Sequence, residues 1–92
     1  YFFRFTEALA LAGEKAGLPP PLAMQLARTT FTGAAALAEQ DSAELAELRR
    51  RVTSPGGTTA AGLGEMDRDD AIERLAAAVV EAAAARSRAL AD

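Results

Sequence analysis

The sequence predicts an all-α fold of about five helices, arranged as a bundle that dimerises through intertwined helices. Three observations lead there. Alanine-rich stretches place their bulkier apolar residues three or four positions apart, the period of one helical face. Between these stretches the chain carries stop and start signals: Gly17 with Pro19, Pro20 and Pro21, then Asp41-Ser42, then Ser54-Pro55-Gly56-Gly57, then Asp67 to Asp70. Finally, hydrophobic residues make up 50% of the chain, yet alanine dominates them, and a buried alanine removes little apolar area from water. Thin helices short of bulky core residues gain further burial from a partner, so the expected assembly is a homodimer or a higher homo-oligomer. Ninety-two residues suit one domain, taken here as 1–92.

The first helix is predicted from Tyr1 to about Ala16, with Phe2, Phe5, Leu9, Ala12 and Ala16 on one inward face and Arg4, Glu7, Glu14 and Lys15 mostly opposite. Gly17 and the prolines end it. The second runs from about Pro21 to Gln40 and carries only Arg28 and Glu39 as charges. Leu22, Leu26, Thr29, Gly33 and Leu37 form one of its faces; Ala23, Ala27, Thr30 and Ala34 form the neighbouring one. A helix so apolar on all sides calls for burial on most of them, and Gly33 with Ala34 to Ala36 lets a second helix approach closely. This makes it the candidate for the centre of a dimer; the simpler reading is the central helix of a monomeric bundle. Asp41 and Ser42 supply a cap for a third helix, Ala43 to Val52, with Leu45, Leu48 and Val52 inward. Its glutamates come early and Arg49, Arg50 and Arg51 come last, an order that complements the helix dipole. A short fourth helix is expected over Thr59 to about Met66, with Gly62 and Gly64 permitting close approach of another backbone. The charged turn Asp67 to Asp70 then starts a last helix, about Asp70 to Leu90, with Ile72, Leu75, Ala76, Val79, Ala83 and Leu90 inward.

One stretch differs from all the rest. In Val52 to Leu63 polar residues and glycines crowd together, and Thr58-Thr59 opens a new apolar run. Glycines let a ligand approach the main chain, and the first amides of a helix have no internal partner. Consecutive N–H groups at a helix start suit a small anion such as a carboxylate. The alternative is a plain interhelical turn with a threonine cap.

The residues from Val52 to Asp67 resemble the signature of pyrroline-5-carboxylate reductases. An aliphatic residue (Val52) is followed by two small ones, a variable one, Gly56-Gly57, a variable residue, Thr59, two variable residues, small Gly62 and aliphatic Leu63; Met66 and Asp67 close the pattern. The flanking helices are similar to that family's C-terminal dimerisation domain, so the resemblance covers essentially the whole chain, and Tyr1 looks like the continuation of a Gly-Pro-Ala-Tyr entry into the domain's first helix. The resemblance implies an oxidoreductase of proline biosynthesis that reduces 1-pyrroline-5-carboxylate to L-proline with NADPH or NADH. The cofactor would be bound by an N-terminal dinucleotide-binding domain that this chain lacks. Carried over residue by residue, Thr59 would present its hydroxyl to the ring nitrogen as the catalytic group. Ser54, Gly57 and Thr58, with Thr59, would hold the substrate carboxylate.

Composition narrows the remaining classes. No cysteine and no histidine is present, so thiolate ligands, disulfides and the commonest general base are excluded, and no metal site is expected. The net charge of −3 offers no electrostatic reason for nucleic acid or an anionic membrane as partner. No apolar run approaches the roughly 20 residues of a membrane span, which leaves a cytoplasmic setting as the expectation. Gly62-Leu63-Gly64 follows no predicted strand, so no cofactor site is expected within these residues. Two other readings stand beside the reductase: a non-catalytic helical protein-interaction module, and the C-terminal domain of another imine or hydroxy-acid dehydrogenase. The second usually uses a helix-borne lysine as acid, and the sole lysine, Lys15, sits at a helix end beside Glu14.

Overall fold

The computed structural model describes residues 1–91, and they are helical nearly throughout, with no strand among them. Five α-helices follow in order: α1 (Phe2–Lys15), α2 (Pro20–Gln40), α3 (Leu45–Arg51), α4 (Thr58–Asp67) and α5 (Ala71–Ala91), with a 3-10 turn at Arg68–Asp70 before the last. The chain packs as two units, Tyr1–Leu48 and the residues from Arg49 onward.

In the first unit α1 and α2 form an antiparallel-type hairpin, in which the joint is set by local chemistry. Gly17, at φ 114°, takes a backbone conformation that side chains resist. It sends its N–H to Glu14 O, and Leu18 N–H reaches Gly13 O, each at 3.0 Å. This paired arrangement satisfies two orphan carbonyls of α1. Pro20 and Pro21 occupy the first turn of α2, where a missing N–H costs nothing, and the first helical bond runs from Ala23 N–H to Pro19 O.

The seam between these helices is made of small residues. Thr6 and Ala10 are buried on α1, and Ala23 and Ala27 on α2. Thr6 tolerates burial because its hydroxyl donates to Phe2 O at 2.8 Å. The expected inward stripe of α1 therefore needs correction: Phe2, Phe5 and Leu9 stay exposed, and the adjacent face is the one that packs. Small side chains allow a close helix approach that bulky ones would block. The aromatics are partly engaged, since Phe2 and Phe3 meet the ring of Phe31 at centroid distances of 6.4 and 6.1 Å. On α2, the alanine face is the buried one, while Leu22, Leu26 and Leu37 remain open. An added Cβ at Gly33 would meet nothing within 4 Å, so within the first unit no neighbouring helix uses the gap there.

Helix α3 starts two residues later than expected. The Asp41 carboxylate accepts the Ala43 N–H at 2.9 Å and folds a local turn ahead of the helix, whose first bonds end on Glu44 O. Leu48 alone is buried on it; Leu45 and Val52 are exposed, against the expected inward set. Glu47 lies in its first turn and Arg49, Arg50 and Arg51 in its last, the order that the dipole favours.

In the second unit α4 packs against α5, with Ala60, Leu63 and Met66 half-buried along α4. The joint is an acidic turn in which Asp69 and Asp70 have φ of 51° and 57°, and Arg74 holds it by donating from Nε to Asp69 O at 2.7 Å. Aspartate is among the few side chains that accept this left-handed region. None of the α5 residues predicted to face inward is buried; Ile72, Leu75 and Leu90 are all exposed. Gly62 and Gly64 likewise have open space where a side chain would stand, so close packing inside this unit does not explain them.

Candidate functional site

The glycine-bearing stretch forms the joint between α3 and α4, and its path can be followed bond by bond. At the end of α3, Val52 N–H reaches Arg49 O at 3.2 Å and Thr53 N–H reaches Arg50 O at 3.1 Å. These i→i−3 bonds tighten the last turn and use carbonyls that would otherwise lack partners. Ser54-Pro55-Gly56-Gly57 follows as a turn closed by Gly57 N–H to Ser54 O at 3.0 Å. Proline in the second position and Gly56 at φ 72° in the third give the type II pattern.

Gly57 is required for a different reason. Its φ of −87° is open to any residue, but a Cβ there would stand 3.2 Å from Ser54 O and 3.4 Å from Ser54 Cβ. The turn closes against bare backbone. Gly57 is also the N-cap of α4: its carbonyl accepts the first helical bond, from Ala61 N–H at 3.1 Å. Thr58 and Thr59 are the first two helical residues, and no side chain caps the helix. The threonine cap weighed from sequence is thus corrected. The N–H groups of Thr58, Thr59 and Ala60 precede the first residue whose N–H has a helical acceptor, so they are available at the positive end of the helix.

All four residues singled out from sequence lie within this one short segment. Ser54, Thr58 and Thr59 are exposed and Gly57 is half-buried. Among the described residues, no group bonds the hydroxyls of Ser54, Thr58 and Thr59. An anion at the helix start would meet consecutive amides, with hydroxyls from the same turn beside it. Thr53 is the residue that the motif left without a role; its hydroxyl donates to Arg49 O at 2.6 Å. A threonine four residues beyond a helical carbonyl is the sequence sign of such a bond.

Other features of the described residues are less suited to the chemistry. The first unit has an open groove of about 450 Å³ lined by Phe3, Met24, Phe31 and Arg28 among others, none of them a candidate residue. Gly62-Leu63-Gly64 lies inside α4, and no strand leads into it, so these residues form no strand–turn–helix dinucleotide site. No helix among the described residues is long and apolar enough to cross a membrane.

The model of the family described as pyrroline-5-carboxylate reductase dimerisation matches residues 1–90. The chain belongs to that family. It is 47% identical over 90 residues to a pyrroline-5-carboxylate reductase of Pisum sativum, covering 98% of this chain and 33% of the relative. With the enzyme of the same name from Pseudomonas aeruginosa it shares 44% over 92 residues, 100% of this chain and 33% of that one. Among solved structures it is similar to a Plasmodium falciparum pyrroline carboxylate reductase with NADP bound, at a TM-score of 0.90 and 30% identity, over 98% of this chain and 34% of that chain. The chain thus spans about a third of the length of the curated relatives it matches.

Proposed function

We propose that residues 1–92 serve as the dimerisation and substrate-carboxylate-binding domain of a reductase that converts 1-pyrroline-5-carboxylate to L-proline with NADPH or NADH, the closing step of proline biosynthesis. The observation that carries this reading is the Ser54–Gly57 turn. It delivers the start of α4 with the amides of Thr58, Thr59 and Ala60 available and three hydroxyls within the same segment. Converging N–H groups favour a carboxylate. A hydroxyl beside them favours a ring nitrogen that gains electron density when the C=N bond is reduced. Both substrate groups belong to one small ring, and residues 54 to 59 are compact enough to serve both.

In this reading Ser54, Gly57 and Thr58 hold the carboxylate, and Thr59 contributes to that cradle while its hydroxyl reaches the ring nitrogen. Threonine is a weak acid, so Thr59 orients the ring and relays a proton from water rather than acting as a free-standing general acid. The described residues include no strand–turn–helix site, and the cofactor is assigned to a separate domain of the longer parent, as the relatives are about three times this length. This segment alone is accordingly inactive, and the expected compartment is the cytoplasm. The assembly is a homodimer: an α5 with no buried residue and an α2 whose leucines stay open give two apolar faces that a second copy would cover.

Thr59→Ala in the intact enzyme tests the site. The hydroxyl caps nothing, so the fold should be retained. If it stabilises developing charge, kcat/KM should fall by about 2–4 kcal/mol, or roughly 30- to 1000-fold, with little change in affinity for the dinucleotide. Thr59→Ser should recover most of the loss. Near-wild-type kinetics in Thr59→Ala would remove the hydroxyl from the mechanism.

A further inference from the structure

We propose that Thr53 is a positioning residue that sets the aim of the substrate-carboxylate loop, an inference that rests on the loop having that role. Thr53 is attached to the end of α3 at two points. Its N–H donates to Arg50 O at 3.1 Å, and its hydroxyl donates to Arg49 O at 2.6 Å. Two bonds to successive carbonyls fix the backbone of Thr53 and its χ1 together, which a backbone bond alone does not. Arg49 O also accepts Val52 N–H, so the last turn of the helix and the first residue of the loop share one acceptor.

The next residue is Ser54, and its direction follows from how Thr53 is held. Ser54 O accepts the Gly57 N–H that closes the turn, and Gly57 O accepts the Ala61 N–H that begins α4. Arg49 and Ala61 are therefore joined by a path of hydrogen bonds, at Thr53, between Ser54 and Gly57 and between Gly57 and Ala61, with the Thr53–Ser54 peptide bond linking the first to the second. Thr53 is its first link and is half-buried, whereas its neighbours Val52, Ser54, Pro55 and Gly56 are all exposed. With the hydroxyl gone, the turn itself survives, since the Ser54–Gly57 bond and the conformation of Gly56 are local. What loosens is the orientation of that turn against the helix from which it springs. Thr53 reaches no reacting atom in this scheme; it acts through Ser54 and Gly57.

The test compares Thr53→Val with Thr53→Ser in the full-length enzyme. Valine keeps the shape and loses the donor; serine keeps the donor. Thr53→Val should raise KM for pyrroline-5-carboxylate severalfold, the scale of one lost hydrogen bond, while KM for the dinucleotide and the melting temperature stay near wild type. Thr53→Ser should restore KM. An unchanged substrate KM in Thr53→Val overturns the proposal, as does a parallel loss of dinucleotide affinity and thermal stability. Should the valine variant fail to fold, Thr53→Ala is read against the same criteria. Gly57→Ala in the same enzyme separates this inference from the reading beneath it. A raised substrate KM there, with Thr53→Val silent, defeats only the role of Thr53; a silent Gly57→Ala defeats the carboxylate loop itself.

Discussion

Helices α1 and α2 and helices α4 and α5 are two pairs with short joints, yet only the first pair buries a seam of its own. Thr6 and Ala10 close on Ala23 and Ala27, at 3–9% exposure, while no residue of α4 or α5 is buried. Apolar content does not separate them, because α5 carries Ile72, Leu75, Val79, Val80 and Leu90. The difference lies in shape. The first pair sets small residues against small residues and brings two backbones together, whereas α4 is ten residues long and covers only part of a 21-residue α5. An apolar helix left open in this way needs cover from outside its own unit, which fits a chain of the dimerisation family.

The sharpest way to break the comparison is a charge on the open face. Leu75→Glu meets solvent in the single chain, where Leu75 is 61% exposed, and should leave the helix intact. Buried by a second copy, the unpaired carboxylate should weaken the dimer by about 3–5 kcal/mol, which sedimentation reads as dissociation at micromolar concentration. Gly33→Glu on α2 should act the same way, since space is open there within the chain. A dimer that persists in both would place the interface elsewhere.

Next in size is the seam. Ala23→Leu overfills a site where the Ala23 Cβ already stands 3.4 Å from where a Gly13 Cβ would be. It should cost about 1–3 kcal/mol and lower the melting temperature by several degrees, with or without association. Gly56→Ala, in the turn that leads into the open pair, forces a Cβ into φ 72° and should cost about 1–2 kcal/mol together with a raised KM for substrate. The smallest effect belongs to the exposed Arg4–Glu7 pair, 4.0 Å apart. Arg4→Ala should change stability by less than about 0.5 kcal/mol by denaturant titration; a larger loss would give α1 a support beyond its seam.

The turn that carries the candidate residues was more legible than the packing. A run of turn formers between two helical periods marks the loop, and the spacing of Gly56, Gly57 and Thr59 reads directly because their neighbours along the chain supply all the bonds that shape it. Thr53 had no assigned role, although a hydroxyl four residues beyond a helical carbonyl carries the signal. The threonine cap was misplaced by one step, since Gly57 takes the cap position with its carbonyl alone.

Helices, and their ends to within a residue or two, follow from the sequence by itself, because hydrogen bonds within a few residues, prolines and left-handed glycines settle them locally. Which face each helix buries does not. On α1 the largest apolar stripe, Phe2, Phe5 and Leu9, stands open, and the small residues Thr6 and Ala10 pack. Periodicity shows that a helix has an apolar side; only the tertiary structure decides which side a neighbour can approach closely enough to fill. In a chain whose core is alanine, distance of approach outweighs side-chain size, and that distance is a property of two helices together.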